Sequence, residues 1–260
     1  MLPLLCFVGA LIGLTFLPIS AQNLLSNGGF EVFRGPIPCG WVVEPNEFNV
    51  NSWYIPTRTT PDIHSAFVGP NCPNYIGSGN KTGLKPHRGQ SALGLFTYGF
   101  SKGQGSWREY VQTQLVMPIV PGKPYLLEAW ICLKPSSSIA SGNLGFYFSI
   151  DRPHHSSYKP LDLNPQIECT ELLSTKGKWY RFFDTVVFSE PYRFLTIGNF
   201  RTDKDTRFQA IEPSGDPPLD IMYQVKQRAY YLIDDVALWP LDAQMADYLK
   251  KNQKELDLIT

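Results

Sequence analysis

The sequence lacks any excess of charge, and it has no charged residue at all before Glu31. Its 260 residues carry 23 Lys and Arg against 23 Asp and Glu, which gives a formal net charge of zero. Zero net charge without a basic block argues against nucleic acid or an anionic membrane surface as the main partner. We therefore expect no nucleic-acid partner.

Motifs of common catalytic sites are also missing. The chain has no G-x-S-x-G, H-E-x-x-H or C-x-x-C pattern, so it offers no serine elbow, zinc helix or dithiol motif. Glu109 and Glu128 could form a carboxylate pair for glycoside cleavage, but strand alternation places them on different surfaces. We predict that the protein is not an enzyme, with a hydrolase as a weaker alternative.

The first 21 residues are an uncharged apolar run that ends in Ile19-Ser20-Ala21. Small residues after a short apolar stretch are what signal peptidase requires. We expect residues 1–21 to be a signal peptide that is cleaved after Ala21, which leaves no membrane span. The alternative is a membrane anchor, because the run approaches the length of a spanning helix. The expected location is the periplasm, the outer membrane or the cell surface, or the medium.

Four cysteines follow this segment, and an even number in an exported protein is compatible with two disulfides. Cys39 and Cys72 both lie in proline-rich, loop-like sequence and form a natural pair. Cys132 lies in a predicted strand, where it could equally be a buried thiol.

Aromatic and apolar segments separated by turn signals dominate the chain after residue 90. Strands at this spacing, without a long helical period, predict a β-sandwich over 22–240. Residues 34–90 are dense in Pro, Gly and Asn and should form loops and short edge strands. Residues 241–260 have the only helical pattern, a C-terminal extension. The predicted strands include "SALGLFTYG", "WREYVQTQLVM", "YLLEAWICL", "NLGFYFSID", "KWYRFFDTVVF", "RFLTIGNF" and "YYLIDDVALW".

Alternation within three of these strands separates an apolar face from a face of aromatic, amide and charged groups. If the strands are neighbours in one sheet, the second face is a shallow surface suited to sugars, whose C–H faces stack on rings and whose hydroxyls bond amides and charges. The alternative is an ordinary solvent-facing sheet. The predicted contact residues are Trp130, Tyr147, Tyr110, Arg108 and Gln112.

Two aspartates, Asp234 and Asp235, stand side by side in the apolar segment "YYLIDDVALW". Successive residues of a strand face opposite sides, so one of the two carboxylates should be buried. A buried carboxylate needs a cation, several donors or a metal.

The segments "NLLSNGGFE" and "YYLIDDV" resemble the opening and closing strands of galactose-binding-like jelly rolls, which include carbohydrate-binding modules. A narrower resemblance, over residues 107–239, is to a module of exported and outer-membrane proteins of Bacteroidetes-type bacteria. That module is often followed by an OmpA-type or type IX secretion sorting domain. The motifs that occur in the same order are "WREYVQTQL", "PGKPYLLEAWICL", "NLGFYFS", "NPQIE", "FLTIGNF" and "YYLIDDVALW".

The resemblance implies a jelly-roll β-sandwich with a structural Ca²⁺ between its first and last strands. The implied ligands are Glu31 and Asp235, with Asp234 in place of Asp235 if a bulge shifts the register. Calcium accepts six to eight oxygen ligands without strict geometry. The competing explanation is a buried aspartate that accepts bonds from backbone donors or pairs with Arg or Lys.

These observations predict an exported, non-catalytic module that recognises a glycan or another surface polymer. The alternative is a protein-interaction subunit of a cell-envelope complex that serves type IX secretion, gliding or adhesion. In that case the loops of residues 34–90 and the terminal helix would supply the contacts.

Overall fold

The computed structural model of the protein describes residues 22–80, 82–101, 105–212, 227–242, 245–249 and 251. The signal-peptide prediction for residues 1–21 lies outside this part of the chain. The described strands are β1 (Trp53–Tyr54), β2 (Asp62–Ser65), β3 (Ser91–Ser101), β4 (Gly105–Trp107), β5 (Tyr110–Gln114), β6 (Pro124–Leu133), β7 (Ile139–Ser141), β8 (Leu144–Ser149), β9 (Ile167–Cys169), β10 (Trp179–Val187), β11 (Phe194–Gly198), β12 (Phe208–Ala210) and β13 (Gln227–Pro240).

Two antiparallel sheets contain most of these strands. One has five strands in the order β1-β5-β11-β8-β9, and the other has six in the order β10-β6-β13-β3-β2, with β4 paired to β3. A short ribbon of β7 and β12 completes the described strands. The all-β jelly-roll sandwich predicted from the sequence is confirmed. The short strands β1 and β2 lie at sheet edges, as the loop-rich composition of residues 34–90 predicts.

The core lies between the two sheets because each strand turns its alternate apolar residues inward. Leu127, Ala129 and Ile131 of β6 belong to the same buried cluster as Phe146 and Phe148 of β8. Fully burying a Leu, Ile or Phe side chain stabilises the fold by about 1.5–3 kcal/mol. The other residue of each alternating pair is left for the outward face.

The N-terminal segment departs from the resemblance, because its opening "NLLSNGGFE" is a series of turns and not a strand. Asn27 and Phe30 have φ values of 55° and 57°, and such backbone cannot continue an extended ladder. The segment still lies against β13, since Leu24 N–H donates to Leu238 O at 2.9 Å and Val236 N–H to Gly28 O at 3.0 Å.

The C-terminal extension is helical over residues 245–249, in agreement with the predicted short helix. Residues 252–260 of the predicted extension lie outside the described part. No helix in the described ranges has the length and apolar character needed to cross a bilayer.

Candidate functional site

The outward face of the five-stranded sheet carries a row of polar and aromatic side chains across four neighbouring strands. The register places Tyr54 of β1 opposite Gln112 of β5, Gln112 opposite Thr196 of β11, and Thr196 opposite Tyr147 of β8. Directly opposed residues of antiparallel strands point to the same face. We call Tyr54, Gln112, Thr196 and Tyr147 the polar row.

Three buried polar atoms on this face have no hydrogen-bond partner among the described residues. They are Oε1 of Gln112, Oγ1 of Thr196 and Oγ of Ser149, which lies two residues after Tyr147. These residues are 1%, 0% and 8% exposed. Because an unpaired buried polar atom costs about 1–3 kcal/mol, three on one face indicate partners from outside the chain. Water molecules or the hydroxyl groups of a ligand would satisfy them.

A segment that follows β8, residues 151–163, folds over one side of the polar row. His155 N–H donates to Pro56 O at 2.7 Å, and Arg58 N–H donates to Ser157 O at 3.1 Å. The side-chain amide of Gln112 donates to Pro153 O at 2.8 Å. That bond fixes the amide through its nitrogen and leaves Oε1 without a partner among the described residues. Tyr54 and Tyr147 flank the buried centre and remain partly exposed.

Tyr110 shares this face but closes its other end. Its hydroxyl donates to Asn199 O at 2.7 Å and accepts from Leu161 N–H at 3.1 Å. The ring lies over Gly198, where an added Cβ would be 2.3 Å from it. Burial raises the pKa of Tyr110, which keeps the phenol neutral. The structure thus gives Tyr110 a packing position and not an open contact position.

Arg108 lies in the connection between β4 and β5, outside the polar row. Its buried guanidinium donates to Asp203 Oδ1 at 2.7 Å and lies 4.6 Å from the ring centre of Tyr98. Burial lowers its pKa, and Asp203 opposes that shift. These contacts hold the loop around Asp203 against the sandwich.

Trp130 lies in β6, which belongs to the six-stranded sheet. The expectation that Trp130 shares one surface with Tyr147, Tyr110 and Gln112 is therefore wrong, because β5 and β8 belong to the other sheet. One face of the Trp130 indole is stacked on His87 at 3.7 Å with an interplanar angle of 15°. The sequence pattern could show which side of each strand is polar, but it could not assign the strands to sheets.

A buried hydrogen-bonded cluster lies on the outward face of the six-stranded sheet. The Tyr230 hydroxyl donates to Asp62 Oδ2 at 2.8 Å and lies 3.1 Å from His64 Nε2. Tyr230 reaches these groups because Gly94 has no side chain, and an added Cβ there would be 2.1 Å from the hydroxyl. The other oxygen of Asp62 accepts from Val42 N–H at 2.8 Å.

Burial perturbs the ionisation of this cluster. Desolvation raises the pKa of Asp62 to about 7, although the hydrogen bonds and Lys134 oppose it. Desolvation, with the neighbouring Asp62, also raises the pKa of Glu109 well above its usual range. Desolvation lowers the pKa of Lys134 to about 8, and it lowers that of His64 well below its usual range. The cluster therefore favours neutral side chains.

The structure brings the three predicted calcium ligands to the same end of the sandwich. An added Cβ on Gly29 would lie within 4 Å of atoms of Asp234, Asp235 and Glu31. The register of β13 shifts between Asp234 and Ala237, and Asp235 adopts a φ of 47°. This bulge turns both aspartates toward the loop that precedes β3.

Backbone donors already bind two of these carboxyl groups, and Oδ2 of Asp235 lies 2.5 Å from Nδ1 of His87. Asp234 accepts from the N–H groups of His87, Arg88 and Asp235 at 3.0, 3.2 and 2.8 Å. Glu31 Oε1 accepts from two N–H groups at the end of this loop and the start of β3. Desolvation, with the neighbouring Asp235, raises the pKa of Asp234 to about 8. The described residues contain no group of three or more ligating side chains around a common point. The contacts of Asp234 and Glu31 are those of the backbone-donor explanation, and calcium remains a prediction.

A disulfide joins Cys39 to Cys72, as predicted. Cys132 and Cys169 are buried free thiols. For Cys132 this confirms the alternative of a buried thiol. Burial raises the pKa of both thiols to about 12, and they are therefore unreactive at neutral pH.

No protein-family model matches the chain. No curated protein matches it either.

Several solved structures are similar in shape. The enzymatically active domain of tailspike protein 4 from bacteriophage CBA120 has 9% identity and a TM-score of 0.39, covering 84% of this chain and 21% of the tailspike chain. A cleaved adhesin domain of Lys-gingipain from Porphyromonas gingivalis has 13% identity and a TM-score of 0.34, over 85% of this chain and 91% of the domain. The tandem CBM22 domain of Paenibacillus barcinonensis Xyn10C has 10% identity and a TM-score of 0.38, covering 80% of this chain and 51% of the tandem domain. Values this low carry no conclusion about function, which has to come from the site itself.

Proposed function

We propose that the protein is a non-catalytic module that binds a glycan on the outward face of its five-stranded sheet. The unpartnered buried atoms of Gln112, Thr196 and Ser149 carry this proposal. Sugar hydroxyls both donate and accept hydrogen bonds, so they can satisfy an amide oxygen and two hydroxyls together. The partly exposed ring of Tyr147 can pack against the C–H face of a sugar.

A binding role fits the titratable groups better than catalysis. The cluster of Asp62, His64 and Glu109 has the residue types of an acid–base site, but both of its carboxyl groups already bind groups of the protein, unlike the unpartnered atoms of the polar row. A general acid or base must come within hydrogen-bond distance of its substrate. The hydrogen bonds to Tyr230, Val42 and Phe96 instead give this cluster a structural role.

Export from the cytoplasm belongs to the same proposal. The Cys39–Cys72 disulfide is typical of an oxidising compartment, which agrees with the predicted signal peptide. A glycan outside the cell, such as a surface polymer, is then an accessible ligand.

Thr196→Val is expected to abolish or strongly weaken glycan binding without loss of stability. Valine matches the shape of threonine but lacks the hydroxyl, so the ligand loses a hydrogen bond while the free chain loses an unpaired buried group. We expect an affinity at least about tenfold lower, which corresponds to about 1.4 kcal/mol, and a melting temperature that is equal or higher. The measurement is a glycan-array screen followed by titration calorimetry on the best ligand, and Ser149→Ala should behave similarly.

Trp130→Ala serves as the matched control, because Trp130 lies on the other sheet. It should leave affinity for the same glycan unchanged. Loss of binding in Trp130→Ala with full binding in Thr196→Val would move the site to the six-stranded sheet and contradict the assignment. Absence of binding to any glycan would overturn the proposed function.

A second candidate function is a protein-interaction subunit of the cell envelope. An open groove beside the disulfide favours it, since its lining includes Phe33, Ile37, Phe67 and Val68, and Phe67 is 63% exposed. Apolar surface of this kind marks protein-interaction sites. Co-purification with an envelope protein at fixed stoichiometry, lost in Phe67→Ser, would support this function in place of glycan binding.

A further inference from the structure

Two arginines converge on Tyr54, the first residue of the polar row. The guanidinium carbon of Arg152 lies 4.1 Å from the centre of the Tyr54 ring, and that of Arg34 lies 5.1 Å from it. Arg34 comes from the N-terminal loops and Arg152 from the segment that covers the polar row, so two separate parts of the chain bring positive charge to one end of the site.

Neither charge is neutralised by the protein within the described residues. No carboxylate oxygen of that part lies within 4.0 Å of either guanidinium, whereas Arg108, Arg181 and Arg201 each pair with a carboxylate at 2.7 or 2.8 Å. Arg34 donates to the carbonyl oxygens of Phe48 and Trp53, and Arg152 is exposed. The two arginines beside the polar row thus lack the carboxylate partner that these three arginines have within the described residues.

A bound anion would complete this arrangement. The Tyr54 ring attracts both guanidiniums but supplies no full negative charge. A planar guanidinium fork binds carboxylate or sulfate oxygens in a bidentate way. The unpartnered atoms of Gln112 and Thr196 lie next in the row, and neutral hydroxyl groups of a ligand can satisfy them. One sugar residue with an acidic group and neighbouring hydroxyls presents both kinds of partner.

We propose that the ligand of this face is an anionic glycan, with its carboxylate or sulfate at the Tyr54 end beside Arg152 and Arg34 and its hydroxyls at the centre of the polar row. This inference rests on the proposed glycan-binding function. It adds the charge of the ligand and the end of the site at which that charge lies.

The test compares acidic polymers with their own neutral forms. The probes are polygalacturonate, alginate and hyaluronan, each with its carboxyl-reduced derivative, and chondroitin sulfate before and after desulfation. Affinity is measured for the unchanged protein, Arg152→Gln, Arg152→Lys and Lys178→Gln. Lys178 is an exposed residue that precedes β10 in the other sheet, so Lys178→Gln removes one positive charge outside the site.

At least one acidic polymer should bind tenfold or more tightly than its neutral form. Arg152→Gln should remove that difference, Arg152→Lys should keep part of it, and Lys178→Gln should keep it all. A preference for the carboxylated polymers over their reduced forms would identify the acidic group as a carboxylate. A preference for sulfated over desulfated chondroitin would identify it as a sulfate. Added salt should weaken the acidic complex more than the neutral one.

Two results would overturn the inference. Equal affinity for acidic and neutral forms, with binding still lost in Thr196→Val, contradicts the anionic ligand and leaves the proposed function intact. Absence of binding to every polymer, in this panel and in a neutral glycan array, contradicts both.

Discussion

The free energy of unfolding is expected to fall by several kcal/mol as the pH rises from about 4 to about 8. Burial raises the pKa of Asp62 to about 7 and that of Asp234 to about 8, from a usual value of 3.8, and it raises that of Glu109 well above its usual range. A tenfold change in an acid dissociation constant corresponds to about 1.4 kcal/mol, and three buried carboxyls act in the same direction.

The direction follows from proton binding. Between about pH 4 and pH 8 the folded chain holds protons on these carboxyls that the unfolded chain has released, so raising the pH favours unfolding. The stabilisation is complete below the unfolded pKa and is lost as the pH passes through the folded values. Lys134, whose lowered pKa is about 8, adds the opposite slope only above about pH 8. Buried His64, whose pKa is lowered well below its usual range, adds one opposite contribution as the pH rises toward its unfolded pKa, and the three carboxyls outweigh it.

Urea denaturation at a series of pH values measures this dependence. Asp62→Asn imitates the protonated carboxyl and should flatten the slope of the free energy of unfolding against pH near pH 7. The control Asp184→Asn changes an exposed residue of β10 and should leave that slope unchanged. A stability that rises steadily from pH 4 to pH 8 would contradict the neutral state of the buried carboxyls.

Asp234→Ala is expected to destabilise the fold by about 3 kcal/mol or more. The Asp234 carboxyl group accepts three backbone N–H bonds, from His87, Arg88 and Asp235. A backbone donor left without a partner costs about 1–3 kcal/mol where it is buried. For a domain of this size the melting temperature should fall by roughly 6–12 °C. Asp234→Asn keeps an acceptor oxygen and should cost much less.

Calorimetric melting of these variants and the unchanged protein provides the measurement, and an unchanged melting temperature in Asp234→Ala would contradict the role of the three bonds. The same experiment with EDTA and with added calcium tests the predicted metal. A calcium-dependent rise in melting temperature that disappears in Glu31→Ala and Asp235→Ala would establish the metal. Bound calcium would keep Asp234 ionised, so the contribution of Asp234 to the pH dependence would change sign. No calcium effect would support the backbone donors alone.

Strand positions could be predicted from the sequence because they depend on local alternation. In "FLTIGNF", Leu195 and Ile197 point to the core and leave Thr196 outward, so Thr196 could have been found by the alternation that identified Gln112. The partnership of Asp234 with backbone donors was one of the two explanations that the sequence left open. The Cys39–Cys72 bridge followed from the composition of two loops.

Sheet membership could not be predicted, since it depends on long-range pairing. Trp130, Tyr147 and Gln112 have similar local patterns, yet β6 belongs to one sheet and β5 and β8 to the other. Tyr54 lies in irregular sequence, where a two-residue edge strand leaves no periodic signal. Ser149 is the last residue of its strand, where the alternation has no further position to support it.

The most direct measurement of glycan binding on the five-stranded sheet follows individual side chains by NMR during titration with the best ligand from the array. We expect the NMR signals of the Gln112 side-chain amide, the Thr196 methyl group and the Tyr54 and Tyr147 rings to change during the titration. Their chemical shifts should follow one common binding curve that saturates. The indole N–H of Trp130 should remain unchanged. Shifts confined to Trp130 and its neighbours, or to Phe33 and Phe67 in the groove, would contradict the polar row as the binding site.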